Sequence, residues 1–193
     1  MNNHEVYVGE YSNHRIEVFD TSGNYLRTWG NYGNGNGQFY APSGLANQAG
    51  QIYVADMGND PIQVFDKNGN FVKKWGTRGV GNGQFNNPQS IASDTQGYLY
   101  VTDTNNHRIQ KFTKDGIHIK RWGSFGSNDN QFVHLLVLLS TSSTKCMLPN
   151  RHIKSRNLIM TVISLPHLVH LVLQMGSRII LMASLLIQHE GFT

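Results

Sequence analysis

Three carboxylates stand at matched places in the chain. Glu10, Asp56 and Asp103 each close a short β-branched run, VYVGE, IYVAD and LYVTD. Five residues further on come Arg15, Pro61 and Arg108. A carboxylate and a guanidinium facing each other across a turn make either a local ion pair or the charged lip of a ligand site. Their recurrence favours the ion pair, because a reactive group breaks a repeat rather than following it. His14 and His107 share another repeated turn position, but two imidazoles fall short of a zinc ligand set. Gly33-Asn34-Gly35-Asn36-Gly37 offers backbone N–H groups to a phosphate, yet no helix follows to add its dipole. Ser43 and Ser90 lack the strand–turn–helix setting of a nucleophile. Cys146 is the single cysteine, which excludes an internal disulfide or a Cys-based zinc site. His167 and His170 have a metal-like spacing with no further ligands clustered beside them. No catalytic, cofactor-binding or metal-binding residue is therefore assigned.

The elements that position these residues repeat. EVYVGEYSNHRIEVFDTSGNYLRTWG, QIYVADMGNDPIQVFDKNGNFVKKWG and YLYVTDTNNHRIQKFTKDGIHIKRWG align without gaps. Trp29, Trp75 and Trp122 lie 46 and 47 residues apart, and Gln38, Gln84 and Gln131 keep the same intervals. Each unit reads as four short strands. A small-residue strand (Gly44–Ala46, Ser90–Ser93) suits a crowded centre. IYVAD and LYVTD follow, then IEVFD, IQVFD and IQKFT with period-two alternation, then the Trp-ending strand. TSGN, KNGN and KDGI join the last two strands, and Asn-Gly and Asp-Gly favour the positive φ of tight hairpin turns. Four antiparallel strands per roughly 40–50 residues mark a β-propeller blade. The fold class is all-β. Phe19, Phe65 and Phe112 with Trp29, Trp75 and Trp122 are expected to fill the space between blades.

The order of these phrases, with Asn-His-Arg-Ile at Asn13–Ile16 and Asn106–Ile109, resembles the NHL-repeat family of β-propellers over residues 5–132. The resemblance implies blades at 31–76 and 77–123, a partial blade at 1–30, and the start of a further inter-blade loop at 124–132. It also implies a propeller fragment, since such rings close with about six blades. The middle unit departs from the family phrase, with Pro61 where Arg is expected. Glu10, Arg15, Trp29, Asp56, Trp75, Asp103, Arg108 and Trp122 are read as structural residues of the repeat. The function implied is a non-catalytic scaffold that binds a protein or another ligand through loops at one end. Two alternatives are the substrate-recognition module of a tripartite-motif-like ubiquitin ligase and a metal-dependent lyase- or lactonase-like propeller. The lyase reading needs carboxylates and imidazoles on the inner strands, where only Asp94 is near.

Charge bears on partners. Residues 1–132 balance eleven Lys and Arg against eleven Asp and Glu, so the formal +4 of the chain comes from residues 133–193. A basic isoelectric point is thus no sign of DNA in the repeat region. RNA is the alternative partner, through exposed aromatics beside Arg78, the Lys73-Lys74 pair and the Lys120-Arg121 pair. Leu158–Met175 is apolar but holds Pro166, His167, His170 and Gln174, which speaks against a membrane span.

The sequence changes character after Phe132. Eighteen of the 20 glycines and all three tryptophans precede it. GNGQF continues as YAPSGLA at Phe39 and NNPQSIA at Phe85, whereas the third copy runs into VHLLVLLS. Codons for VHLLVLLS, read from each third base, admit SPTGIAID. Those for KCMLPN (Lys145–Asn150) likewise admit VYVAE, and later stretches restate the repeat in order. We read residues 133–193 as an out-of-frame translation of further blade sequence, without a fold of its own to expect. Sequencing the gene tests this: a one-base deletion after the Phe132 codon, with repeat-like text in the alternate frame, is the expected result. An intact gene lacking that text refutes it.

Overall fold

In the computed structural model the described residues are 5–133, 135, 158–165, 168–175 and 178–186. The first three strands, β1 (Glu5–Glu10), β2 (Arg15–Asp20) and β3 (Tyr25–Trp29), form one antiparallel sheet in that order. The second sheet runs β4 (Pro42–Gln48), β5 (Gln51–Asp56), β6 (Ile62–Asp66), β7 (Phe71–Trp75). A two-residue parallel pair, β8 (Thr77–Arg78) with β9 (Gln84–Phe85), closes the loop that follows. The third sheet runs β10 (Pro88–Ser93), β11 (Leu99–Asp103), β12 (Arg108–Phe112), β13 (His118–Trp122). These are three propeller blades, of three, four and four strands, in an all-β fold.

Between the second and third blades, Tyr53, Ile62, Val64 and Phe85 meet Ile91, Leu99, Val101 and Phe112, with Trp75 against them. Ile16, Phe39 and Trp29 meet Ile52, Val54 and Phe65 in the same way one step earlier. Both faces of the middle blade are therefore buried, and Gln63 on β6 is as covered as Val64. Phe65 and Phe112 are fully buried as expected of inter-blade filling, while Phe19 of the first blade is half-buried. Inner strands approach closely at Gly44, where a Cβ would lie 2.6 Å from the Ser90 Cα. That contact is the reason for small residues at the centre.

The hairpin turns differ from the tight Asn-Gly form. Gly23, Gly69 and Gly116 alone take positive φ, and the residues before them do not. Asp20 Oδ1 accepts the N–H groups of Ser22 and Asn24, and Asp66 Oδ1 those of Asn68 and Asn70. The carboxylate, not an Asn-Gly pair, shapes each of these two turns, and a bulge follows at Val18/Phe19 and Val64/Phe65. Thr113 Oγ1 takes the carboxylate's place in the third blade.

Further along, β14 (Leu158–Leu165), β15 (Leu168–Met175) and β16 (Arg178–Leu186) form a three-stranded antiparallel sheet. The apolar run Leu158–Met175 thus contributes two strands. Cys146, Pro166 and His167 lie outside the described residues. Among the described residues, no helix is long and apolar enough to cross a membrane.

Truncating Phe112 to Ala removes a ring buried between two blades and is expected to cost about 3–5 kcal/mol. Phe19→Ala, on a half-buried face, should cost well under half of that. Urea unfolding of the two variants checks the order.

Candidate functional site

The first two inter-blade loops are each clamped by the blade that follows. Asp103 ends β11 fully buried. Its Oδ1 accepts the Asn86 backbone N–H at 2.7 Å, and its Oδ2 accepts Arg108 Nε at 2.6 Å and Gln110 Nε2 at 3.0 Å. Asn106 donates to the same carboxylate and to the Gly79 carbonyl at 2.8 Å. Gln110 also donates to the Gln84 carbonyl, and its Oε1 accepts the Gly83 N–H. Arg108 spends its remaining N–H groups on the carbonyls of Val80, Gly81 and Gln84. The third blade thus holds Gly79–Asn86 through one buried carboxylate and three side chains that bridge it to loop backbone.

The middle blade repeats this with Asp56, Asn59 and Gln63. Asp56 accepts the Tyr40 N–H at 2.8 Å, Asn59 reaches the Gly33 carbonyl at 2.7 Å, and Gln63 Oε1 accepts the Gly37 N–H at 3.0 Å. Pro61 replaces the arginine. The β5–β6 ladder then stops at Ala55–Ile62, one rung short of the Asp103–Arg108 pair. Asp56 is left buried without a guanidinium, and burial raises its pKa above the usual carboxylate range. In the first blade Glu10 pairs with Arg15, which also meets Glu17 at 2.7 Å. That guanidinium side chain is 40% exposed, against 7% for Arg108.

Inside each loop the glutamine of the GQF phrase does local work. Gln38 Oε1 accepts the Gly35 N–H at 3.0 Å and Gln84 Oε1 the Gly81 N–H at 2.8 Å. The turn residues His14, Asp60 and His107 all have positive φ. His14 Nδ1 accepts the Ala41 N–H at 3.1 Å and Asp60 Oδ1 the Asn87 N–H at 2.9 Å, so in the first two blades this position ties one blade to the next. Asn59 and Asn106 belong to the repeat phrase without a role being read from it, and Gln63 and Gln110 carry no motif, although these residues recur three and seven residues after the acid. Trp29 and Trp75 pack between blades, and Trp122 packs edge-on against Tyr100.

Around these clamps, the end of the blades that carries the inter-blade loops shows side chains that do not repeat. Tyr32 and Tyr40 meet edge to face at 5.7 Å with His14 beside both. Tyr32 is 65% exposed, Arg78 has a 76% exposed side chain, and Phe125 at the equivalent loop position is 66% exposed. Lys74 and Arg121 reach the Asn34 and Val80 carbonyls from the exposed surface. Of the basic pairs, Lys73 is half-buried beside exposed Lys74, whereas Lys120 and Arg121 are both exposed.

Blades of this order and packing define a β-propeller. Residues 85–112 match the NHL repeat family. No curated protein matches in sequence. Among solved structures, a streptogramin B lyase shares 11% identity and a TM-score of 0.58, over 98% of this chain and 67% of that one. Hydrazine synthase from Kuenenia stuttgartiensis shares 12% identity and a TM-score of 0.54, over 86% of this chain and 51% of its own length. The WD40 repeats of RRP9 share 12% identity and a TM-score of 0.52, over 86% and 44%. The chain thus spans about half the length of the hydrazine synthase chain it matches. Enzymes and WD40 repeats appear together, so these likenesses establish the propeller fold alone.

Two consequences of the clamp are measurable. Pro61→Arg gives Asp56 a cation and supplies the loop carbonyls with donors, and should stabilise by about 1–2 kcal/mol at pH 7. The raised Asp56 pKa means that its contribution is fully present below the ordinary Asp pKa and is lost as pH rises through the raised value. The gain from Pro61→Arg should therefore shrink in acid, as denaturation at both pH values will show. Glu5 has the opposite sign: the Arg27 hydrogen bonds hold its pKa down at about 2 from 4.5. Stability from that pair is present above 4.5 and lost as pH falls toward 2. Glu5→Gln should flatten that acid limb.

Proposed function

We propose that this chain is a non-catalytic NHL-type propeller module that binds a protein partner through its loop-bearing end. The observation that carries this is the division of labour on that end. Asp56, Asp103 and His14 are engaged in clamping backbone, while the exposed, non-repeating groups are aromatic and cationic: Tyr11, Tyr32, Tyr40, Phe125 and Arg78. Aromatics and arginine are the residues that dominate protein interfaces. Among the described residues, no three His, Cys, Asp or Glu side chains gather as a metal site would require, which supports the scaffold reading over a metal-dependent lyase. A protein is favoured over RNA because Tyr32 and Tyr40 meet edge to face at 87°, so the pair does not offer parallel ring faces to successive bases. The partner surface should be acidic, to complement Arg78, Lys74 and Arg121.

Tyr32→Ala combined with Arg78→Glu tests this. Both side chains are exposed, so folding should survive. Affinity for a protein partner recovered with the wild-type chain should fall by about 30-fold or more, the loss of one interface hot spot. Undiminished binding by the double variant refutes the surface. Binding that disappears on nuclease treatment identifies RNA instead.

A further inference from the structure

The contacts that join neighbouring blades leave two complementary ends. Trp29 lies on the Gly69 turn, where a Cβ would sit 2.7–2.9 Å from the indole, and Trp75 lies on Gly116 at 2.6–2.8 Å. Beside each Trp, the strand reaches the same turn. Arg27 donates to the Lys67 carbonyl, and Lys73 Nζ meets Asp115 at 2.9 Å. The third blade offers the same outgoing set, Lys120 and Trp122, to a turn that no described residue provides.

The first blade offers that turn. A Cβ on Gly23 would meet nothing within 4 Å, so the seat filled by Trp29 and Trp75 elsewhere is open here. Val6, Val8 and Phe19 are half-buried, while their counterparts Ile52, Val54 and Phe65 are essentially covered.

Polar groups match as well. In the third loop, Phe132 is half-buried where Phe39 and Phe85 are fully buried, and Ser127–Asn130 are exposed. The loop keeps its internal bonds, Asn128 N–H to Gln131 Oε1 and Gln131 N–H to the Asn128 carbonyl. Among the described residues, none donates to the carbonyls of Gly126, Ser127 or Gln131, whose counterparts are taken by the Asn and Arg of the next blade. The first blade carries that Asn and Arg, and among the described residues they hold no loop. Asn13 donates to Glu10, and Arg15 to Glu10 and Glu17.

We infer that two copies of this chain associate head to tail, the Trp122 edge of one seating on the Gly23 turn of the other. Asn13 and Arg15 of the second copy then clamp the Gly126–Phe132 loop of the first, as Asn106 and Arg108 clamp Gly79–Phe85 within one chain. The contact is heterologous: different patches meet, so an open pair keeps one free Trp122 edge and one free Gly23 seat.

Sedimentation of the full chain tests the pairing. Gly23→Asn places a side chain in the seat at a position where Asn tolerates positive φ, so the blade should still fold. Wild type should sediment above its one-chain mass of 21.7 kDa. Gly23→Asn should weaken association by about 30-fold or more, as should Trp122→Ala. Mixing the two variants should restore pairs, because one keeps an intact outgoing edge and the other an intact seat. Ser22→Asp, which recreates the Asp115 carboxylate opposite Lys120, should tighten association even if Trp122→Ala fails to fold. Wild type at one-chain mass throughout overturns the inference. So does a Gly23→Asn chain that self-associates, or aggregates, as wild type does.

Discussion

Blade order in this protein depends on a buried carboxylate that reads the loop arriving from the blade before. A stack of twisted sheets can bury apolar faces in several offsets, because hydrophobic contact is non-directional. Asp56 and Asp103 remove that freedom. Each accepts one loop N–H directly and orients an Asn and a Gln whose far ends take further loop groups. The carboxylate accepts from every donor around it, so an amide at that place would point N–H groups at N–H groups. Displacing the loop would strand these groups in a dry site, a cost far above the net worth of any one bond.

The middle blade shows how far the clamp tolerates loss. Without a guanidinium, Asp56 still holds Tyr40, Asn59 and Gln63, and the sheet gives up one rung. The bridging amides therefore carry the architecture, and the arginine adds charge compensation and loop-carbonyl contacts. In the first blade the arginine grips no loop among the described residues and turns to Glu10 and Glu17 instead. The arginine thus plays two parts, set by what the neighbouring blade supplies.

Much of this was legible in the sequence because the repeat is strict. Trp, Phe and acid positions recur at near-constant intervals, and period-two alternation marks IEVFD and its copies. The pairing of Glu10 with Arg15 and of Asp103 with Arg108 follows from their five-residue spacing across a turn. The longer reach of the clamp was not legible. Alternation gives Gln63 and Gln110 a polar side of the strand and nothing more, and only the packing of a second blade buries them. The hairpins misled for a related reason: Asp20 and Asp66 shape them from outside the Ser-Gly and Asn-Gly pairs. Arg78 stood out by its charge, whereas Tyr32 and Tyr40 were hidden by their departure from the repeat, which is also what distinguishes them.

Amide hydrogen exchange at Gly83 and Asn86 addresses the clamp most directly, in wild type and in Asp103→Ala. Both amides sit in a loop yet are bonded to Gln110 and Asp103. They should exchange as slowly as strand amides in wild type and become fast together in the variant, while β12 keeps its protection. Fast exchange in wild type, or protection that survives the loss of Asp103, would contradict the claim that this carboxylate fixes the loop between blades.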